Sequence, residues 1–158
     1  MIGHGLKDRQ GRVVTLREIG EDWQQVADVA PRDDQRGFVP ALAAHYLLVS
    51  TLGATWHSFG VHADEEVVGH IMWGIDDDDS RWIGGVLIDA SQQGQGLGRA
   101  ATATMLRWLS LQEGCRVVRL SYQANNTVAA ALYASMGFTP NGEMQGDEII
   151  AERPTELG

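Results

Sequence analysis

The segment that decides the fold runs from Ile88 to Arg99 and reads IDASQQGQGLGR. An apolar stretch at residues 82–89 leads into it and predicts a strand, and an amphipathic stretch at residues 97–112 follows and predicts a helix. Glycines in such a connection let the backbone turn tightly and bring N–H groups against a ligand. The first N–H groups of a helix lack partners and lie at the positive end of its dipole, so anions bind there. The segment therefore predicts a site for a phosphate group.

Two common phosphate-binding loops do not fit this segment. A dinucleotide-binding turn that starts at Gly94 needs a third glycine at position 99, where the chain has Arg99. No acidic residue follows about 20 residues later on a next strand, as that turn also requires. A nucleoside-triphosphate loop needs a lysine after its last glycine, and the segment has none. A glycine turn that serves only the fold remains an alternative on the glycines alone.

Length and composition predict one globular domain that spans residues 1–158. The chain has a mass of 17.2 kDa, 44% hydrophobic residues and 21% charged residues, which excludes a disordered protein. Its single cysteine, Cys115, excludes an internal disulfide and a multi-cysteine metal site. No apolar run approaches the roughly 18 residues of a membrane span, and the first ten residues lack the apolar core of a signal peptide. We expect a cytoplasmic protein.

The net charge of −9 is unevenly distributed. Residues 1–79 hold six Lys/Arg and fourteen Asp/Glu, a balance of −8, whereas residues 80–158 hold six and seven, a balance of −1. A nucleic-acid-binding protein usually presents a basic surface, and an anionic membrane also attracts basic ones. We therefore expect neither nucleic acid nor a membrane as a partner.

Hydrophobic periodicity predicts eleven elements in the order β-α-α-β-β-β-α-β-α-β-β. This order implies a mixed α/β sheet with helices on its faces. The predicted strands are residues 13–19, Trp56–Ala63, Glu66–Ile75, 82–89, 117–122, 138–144 and 148–153. The predicted helices begin near Asp22, run through residues 40–49, run through residues 97–112, and run from Asn126 to Met136.

Two motifs resemble one enzyme superfamily. Residues 93–98, which read QGQGLG, look like the Q/R-x-x-G-x-G/A signature of the GCN5-related N-acetyltransferases (the GNAT superfamily). Residues 126–138 resemble that superfamily's N-x-x-A-x-x-L-Y-x-x-x-G-F segment. The resemblance implies the acyl-CoA N-acyltransferase fold, in which a mostly antiparallel sheet has helices on both faces. It also implies acetyl-CoA as cofactor, with its pyrophosphate on the glycine loop.

A closer likeness is to the bacterial spermine/spermidine (diamine) acetyltransferase branch. It rests on Trp82, on Ile88-Asp89, on the NGE triplet at residues 141–143 and on Gln35-x-x-Phe38-Val39. The likeness implies acetyl transfer to a small cationic amine, and members of the superfamily often form dimers, so we expect a two-fold homodimer. Relatives that act on polyamines often carry acidic residues where this chain has Gly84-Gly85.

The resemblance also assigns site residues. Acetyl transfer needs a donor for the developing oxyanion and an acid for the departing thiolate. Gly84-Gly85 inside an apolar strand predicts a bulge or a close backbone approach. The resemblance then makes the Leu87 N–H the oxyanion donor and Tyr133 the general acid. It implies that acetyl-CoA contacts Val86, Leu87, Ile88, Gln93, Gly94, Gln95, Gly96, Leu97, Gly98, Arg99, Asn126 and Tyr133.

Pattern alone leaves other interpretations open for these residues. Residues 86–88 also form an apolar core strand. Tyr133 lies about 100° from Leu132 on its helix, off a predicted core stripe that consists of Val128, Ala131, Leu132 and Ser135/Met136. A half-buried tyrosine with a hydrated hydroxyl fits that position too.

The acidic first half predicts the acceptor side. In the superfamily the first helices and the loop between the third and fourth strands border the acceptor, and carboxylates there attract cationic amines. The predicted acceptor-binding residues are Asp33, Asp34, Asp76, Asp77, Asp78 and Asp79. A solvated turn is the alternative for the last four. Aminoglycosides and a lysine side chain suit the same charge, and a non-catalytic acyl-CoA-binding module is the competing class. The general base is unassigned, and the five histidines show no metal-ligand spacing.

Overall fold

The computed structural model describes residues 1–38 and 42–156. Within them the chain forms seven strands and four helices in the predicted order, with 3-10 turns at Asp33–Gln35 and Ala90–Gln92. The strands are β1 Val14–Glu18, β2 Trp56–Ala63, β3 Glu66–Ile75, β4 Arg81–Ile88, β5 Val117–Gln123, β6 Thr139–Gln145 and β7 Glu148–Pro154. The helices are α1 Trp23–Ala27, α2 Ala44–Leu52, α3 Leu97–Ser110 and α4 Thr127–Ser135.

The strands form one sheet in the order β1-β2-β3-β4-β5-β7-β6. Only β4 and β5 run parallel, so the predicted mixed, mostly antiparallel sheet is confirmed. These two strands pair at two positions alone, Arg81 with Val118 and Trp82 with Arg119. Beyond them β4 stays paired with β3, and β5 stays paired with β7. The sheet therefore opens in its middle, between β4 and β5.

Helices cover both faces of the sheet, as predicted. The buried stripe of α3 includes Leu97, Ala101, Met105 and Leu109, all at most 2% exposed, and it packs on the main core. The opposite face holds a smaller cluster in which Leu87 of β4 packs with Val29 and Ala43, next to Tyr46 of α2. Burial of these apolar faces stabilises the layered arrangement and fixes which side of β4 each helix covers.

The two first helices differ from their predicted form. Helix α1 is only five residues long, no side-chain hydrogen bond from Asp22 caps it, and Trp23 is 53% exposed rather than buried. The second helix was predicted at residues 40–49, of which 40 and 41 lie outside the described residues. Helix α2 begins at Ala44 and ends before Gly53.

The predicted core stripe of α4 is correct only in part, because Leu132 and Met136 pack on the main core but Ala131 and Ser135 are exposed. Val128 is 78% exposed, whereas Tyr133 is half-buried and packs against the main core together with Ala129, Ala130 and Leu132. Four of the nine residues of the helix are alanine, so its faces differ little in hydrophobicity and its orientation is set by contacts with the sheet. The predicted cap is confirmed, since the Asn126 side chain accepts a hydrogen bond from the Ala129 N–H at 3.2 Å.

Candidate active site

The opening between β4 and β5 is a cleft with a volume of about 770 Å³. Residues 83–88 of β4 form one wall, and residues 120–123 of β5 form the other. The glycine loop and the first turns of α3 and α4 line part of the cleft, here named the donor end. Tyr46, Trp56, Trp82 and Glu148 also line it, and these four residues are here named the acceptor end. The two groups of residues differ in their chemistry.

A bulge shapes the β4 wall, as the glycine pair predicted. His70 pairs with Leu87 and Met72 pairs with Gly84, so Gly85 and Val86 together face the single residue Ile71. Gly85 has φ +58°, and a Cβ there would lie 2.9 Å from the Cε1 atom of His70. Only glycine satisfies both the backbone angle and the contact.

Strand alternation decides which N–H groups face the cleft. The Asp89 N–H donates to the Val68 carbonyl at 2.9 Å and therefore points toward β3. Because successive N–H groups of a strand point to opposite sides, the Leu87 N–H also points toward β3, and those of Ile88 and Val86 point into the cleft. In agreement, the Ile88 carbonyl accepts from the Gln93 side chain at 2.7 Å rather than from β3.

This orientation corrects one predicted role. The Leu87 N–H was expected to be the oxyanion donor, but it points away from the cleft. The Leu87 side chain is 3% exposed and packs under the first two helices. The Val86 N–H, one residue earlier and inside the bulge, is the candidate donor instead.

The glycine loop has the geometry of an anion site. Gly94 and Gly96 have φ +79° and +78°, which turn the chain twice before α3 begins. The first hydrogen bond of α3 runs from the Ala100 N–H to the Gly96 carbonyl at 3.1 Å. The helix therefore leaves the N–H groups of residues 97–99 unused, at its positive end.

Three arginines add positive charge around this loop. Arg9 donates to the Gly94 carbonyl at 2.9 Å, and its backbone N–H donates to the Gln95 carbonyl at 2.8 Å. Arg99 donates to Ser135 Oγ at 2.6 Å, which ties α3 to the end of α4. Arg32 also lines the cleft. Sequence reasoning missed Arg9 and Arg32 because both precede the loop by more than 55 residues, and no local pattern marks them.

The loop and cleft fit acetyl-CoA. The open N–H groups and the arginines match a pyrophosphate, and the side-chain-free glycines at 94 and 96 leave space for it. The narrow gap between β4 and β5 offers the N–H groups of Val86 and Ile88 to an extended amide chain such as pantetheine. Gln93, Leu97, Gly98 and Asn126 lie along the same cleft, so the predicted cofactor residues other than Gln95 all line it.

Two tyrosines approach each other across the cleft. Burial, with a smaller contribution from Tyr46, raises the pKa of Tyr133 to about 12. Burial, with a smaller contribution from Glu148, raises the pKa of Tyr46 to about 12. Both phenols are therefore protonated at neutral pH and can donate hydrogen bonds. Tyr46 was missed in the sequence because α2 shows no motif around it.

Most of the predicted acceptor carboxylates lie elsewhere. Asp78 binds Arg119 of β5 at 2.7 Å, and Asp76 accepts from the Trp82 indole at 3.2 Å on the rim. None of Asp76, Asp77, Asp78 and Asp79 lines the cleft. Asp33 pairs with Arg36 at 3.1 Å and stays outside it. Asp34 does line the cleft, although Arg32 lies 3.3 Å from its carboxylate.

Glu148 is the carboxylate that faces the interior of the acceptor end. It is half-buried at the start of β7, opposite Gln123 of β5, lines the cleft, and acts electrostatically on Tyr46. Burial, followed by the negative charge of Asp147, raises its pKa, while a hydrogen bond with Ser121 opposes the rise. A carboxylate next to aromatic rings attracts alkylammonium groups through charge and cation–π contacts.

Within the described part of the chain, no group of three or more His, Cys, Asp or Glu side chains could hold a metal ion. No helix there is long and apolar enough to cross a bilayer.

The sheet is divided at its centre, the open N–H groups at the start of α3 lie beside the division, and the protonated phenol of Tyr133 lines it. This arrangement fits the class of acyl-CoA-dependent transferases. The chain belongs to the Acetyltransferase (GNAT) family, whose model matches residues 21–138. The resemblance to the GNAT superfamily that the two sequence motifs indicated is confirmed. The enzyme is an N-acetyltransferase that uses acetyl-CoA.

Relatives agree with this assignment. The chain is 29% identical over 102 residues to the spermine/spermidine N(1)-acetyltransferase of Bacillus subtilis (strain 168). The aligned region covers 59% of this chain and 67% of the relative. Spermidine N-acetyltransferase from Vibrio cholerae, in complex with CoA and spermine, superposes with a TM-score of 0.72 at 16% identity, covering 91% of this chain and 96% of the other. The ribosomal-protein-S18-alanine N-acetyltransferase from Escherichia coli gives 0.66 at 20% identity, with 92% and 96% covered. The two structures show the shared fold.

Proposed function

We propose that this enzyme transfers the acetyl group of acetyl-CoA to a primary amine of a small cationic acceptor such as a polyamine or diamine. The amine attacks directly while both substrates are bound. The observation that carries the proposal is that one cleft is lined both by an arginine-rich glycine loop and by Glu148 with three aromatic side chains. An anionic donor and a cationic acceptor would each meet the complementary charge.

On the donor side, the N–H groups of residues 97–99 and the guanidinium groups of Arg9 and Arg99 would hold the pyrophosphate. The backbone of Val86 and Ile88 would hydrogen-bond the pantetheine and acetyl groups. Acetyl-CoA supplies the acetyl group as a thioester, which an uncharged amine can attack.

Three groups of this chain would serve the chemical step. The Val86 N–H would donate to the thioester carbonyl oxygen, where negative charge develops. The Tyr133 hydroxyl would give its proton to the departing sulfur, and its high pKa keeps that proton available. Glu148 would take one proton from the bound ammonium group, which leaves the uncharged amine that attacks. As the amide forms and the C–S bond breaks, the nitrogen would lose a second proton, which replaces the one that Tyr133 gives to the sulfur. The raised pKa of Glu148 makes it a better base than an ordinary glutamate.

The aromatic lining supports a slender cationic acceptor. Rings of Tyr46, Trp56 and Trp82 surround the acceptor end, and Gly84 leaves room for the Trp56 ring, which would lie 3.0 Å from a Cβ on that residue. A polyamine alternates apolar methylene segments with cationic nitrogens, which suits rings next to one carboxylate. The likeness to the Bacillus spermine/spermidine enzyme supports the same acceptor class.

Glu148→Gln tests the acceptor side, with Asp77→Asn as the matched control. Removal of the cleft carboxylate should raise KM for spermidine about tenfold and lower kcat, because a charged hydrogen bond contributes roughly 1.5–3 kcal/mol. The KM for acetyl-CoA should stay the same, and Asp77→Asn, a charge removed outside the cleft, should leave both constants unchanged. Equal effects of the two substitutions on spermidine KM would contradict the role of Glu148.

A further inference from the structure

His70 is a buried polar residue that lies beneath the bulge of β4. It is 0% exposed, and its ring stacks on Tyr46 at a centroid distance of 5.2 Å and an interplanar angle of 4°. Its Nδ1 lies 2.7 Å from the Gly85 carbonyl, and its Nε2 lies 2.8 Å from Ser58 Oγ. None of the chemistry proposed above involves this side chain.

The partners of His70 fix its tautomer. A carbonyl oxygen can only accept, so Nδ1 carries the proton and donates it to Gly85. Nε2 is then the acceptor, and the Ser58 hydroxyl donates to it. Because the Ser58 proton is donated to Nε2, Ser58 Oγ accepts from the hydroxyl of Ser50 on α2, which lies 2.7 Å away. A chain of hydrogen bonds therefore connects the bulge of β4 to helix α2.

The bulge explains why this bond matters. The extra residue on β4 takes the Gly85 carbonyl out of the regular ladder with β3. A buried carbonyl without a donor costs about 1–3 kcal/mol, and the imidazole N–H supplies that donor. The next amide along the chain is the Val86 N–H. The bond that holds the Gly85 carbonyl therefore also sets the plane of the peptide group that carries the Val86 N–H.

We infer that His70 is a positioning residue, which holds the Gly85–Val86 peptide so that the Val86 N–H points at the acetyl carbonyl oxygen. This inference rests on the proposed role of Val86. Burial lowers the pKa of His70 to about 4, so the imidazole is neutral at physiological pH and keeps one proton for Gly85. Because the His70 ring also stacks on Tyr46, His70 contacts both the bulge of β4 and a residue of the acceptor end.

Two amide substitutions separate positioning from packing. In His70→Asn the side-chain NH₂ takes the place of Nδ1 and can still donate to Gly85, whereas in His70→Gln it lies nearer the place of Nε2 and cannot. We expect His70→Gln to lower kcat about 10- to 100-fold with acetyl-CoA KM within about threefold, because a displaced oxyanion donor costs up to 10²–10³ in kcat. His70→Asn should keep kcat within about fivefold of the wild type. Equal kcat losses in both variants, or none in His70→Gln, would overturn the inference.

Two readouts do not depend on turnover or on the folding of a His70 variant. Nitrogen-15 NMR of histidine-labelled wild-type enzyme should show His70 neutral, with Nδ1 protonated and Nε2 unprotonated. A protonated Nε2 would overturn the inference. In Ser58→Ala, which frees the tautomer, the Gly85 and Val86 amides should exchange with solvent faster than in wild type, and unchanged exchange would count against the inference. If wild type acetylates no cationic amine while both readouts hold, the proposed function fails and the support of the bulge stands.

Discussion

At the scale of single residues, the proposed oxyanion donor Val86 and the proposed general acid Tyr133 lie on different elements. Val86 contributes only its backbone, from a strand whose bulge turns that N–H into the cleft. Tyr133 contributes a phenol from α4, where it packs beside Tyr122 and Phe138 at ring distances of 5.9 and 6.2 Å. These contacts hold the ring in the lining of the cleft, which Tyr46 also lines. The hydroxyl is thus fixed by packing and kept protonated by burial.

Tyr133→Phe tests the general acid. Loss of the hydroxyl should lower kcat about 100-fold or more, because general acid catalysis contributes roughly 10²–10⁴. The KM for acetyl-CoA should change little, since the ring and its packing remain. Because the pKa of Tyr133 is about 12, wild-type kcat should not fall through loss of this proton below pH 10. Steady-state kinetics between pH 7 and 10 would show both effects.

Tyr122→Phe is the control for that substitution. Tyr122 is a neighbouring tyrosine of β5 with 9% exposure that belongs to the main core. A loss of kcat in Tyr122→Phe equal to that in Tyr133→Phe would show that any removed hydroxyl slows the enzyme, and Tyr133 would lose its assigned role.

Residues of the acceptor side show where sequence reasoning stops. The run of aspartates at 76–79 is conspicuous in the sequence, yet Asp78 is used to bind Arg119 and the pKa of its carboxyl is lowered by hydrogen bonds with Ser80 and Arg119. Glu148 is an isolated carboxylate with no motif around it. Its position follows only from the pairing of β7 with β5, which places it opposite Gln123. Pairing between distant strands leaves no local signal.

At the scale of elements, the β4 bulge is the feature on which donor positioning depends. The sequence predicted it from two glycines in an apolar strand, and the register shift confirms it. The sequence also predicted β2 and β3 with the bounds that the structure shows. Alternating apolar residues mark each strand, and the short turn between them marks where β2 ends and β3 begins. For helix α4 the prediction was correct for Leu132 and Met136 and wrong for Val128, because the alanines spread around the helix give no face a clear preference.

Gly85→Ala tests the bulge, and Gly146→Ala is its matched control. Both glycines have φ near +60°, but a Cβ at Gly146 would meet nothing within 4 Å, whereas one at Gly85 would meet His70. The left-handed backbone should cost each variant about 1 kcal/mol in unfolding free energy. Gly85→Ala should lose about 1–3 kcal/mol more, through overpacking against a ring that cannot move away. Urea unfolding measures the difference, and equal losses would show that the contact with His70 is loose.

At the scale of the whole molecule, the charge that lines the cleft does not follow the net charge of the two halves of the chain. The acidic first half contributes Arg9 and Arg32 to the donor end of the cleft, and the nearly neutral second half contributes Glu148 to the acceptor end. The division of −8 and −1 therefore does not separate donor from acceptor. The glycine loop was predictable because its chemistry lies in consecutive residues, while both arginines reach the cleft from remote segments.

The expected two-fold dimer is a further prediction at this scale. A dimer should elute and scatter light with twice the chain mass of 17.2 kDa. Multi-angle light scattering at micromolar concentration measures this mass directly. A single species at the chain mass would contradict the prediction.

Acceptor-dependent release of the CoA thiol tests the central claim most directly. Wild-type enzyme is mixed with acetyl-CoA and, separately, with spermidine, spermine, putrescine, an aminoglycoside and a peptide amine. We predict that spermidine or spermine gives a kcat/KM at least about tenfold above the aminoglycoside and the peptide, because the paired charge and aromatic lining each contribute about 1 kcal/mol or more. Preferential turnover of the peptide, or no release above hydrolysis with any amine, would contradict it.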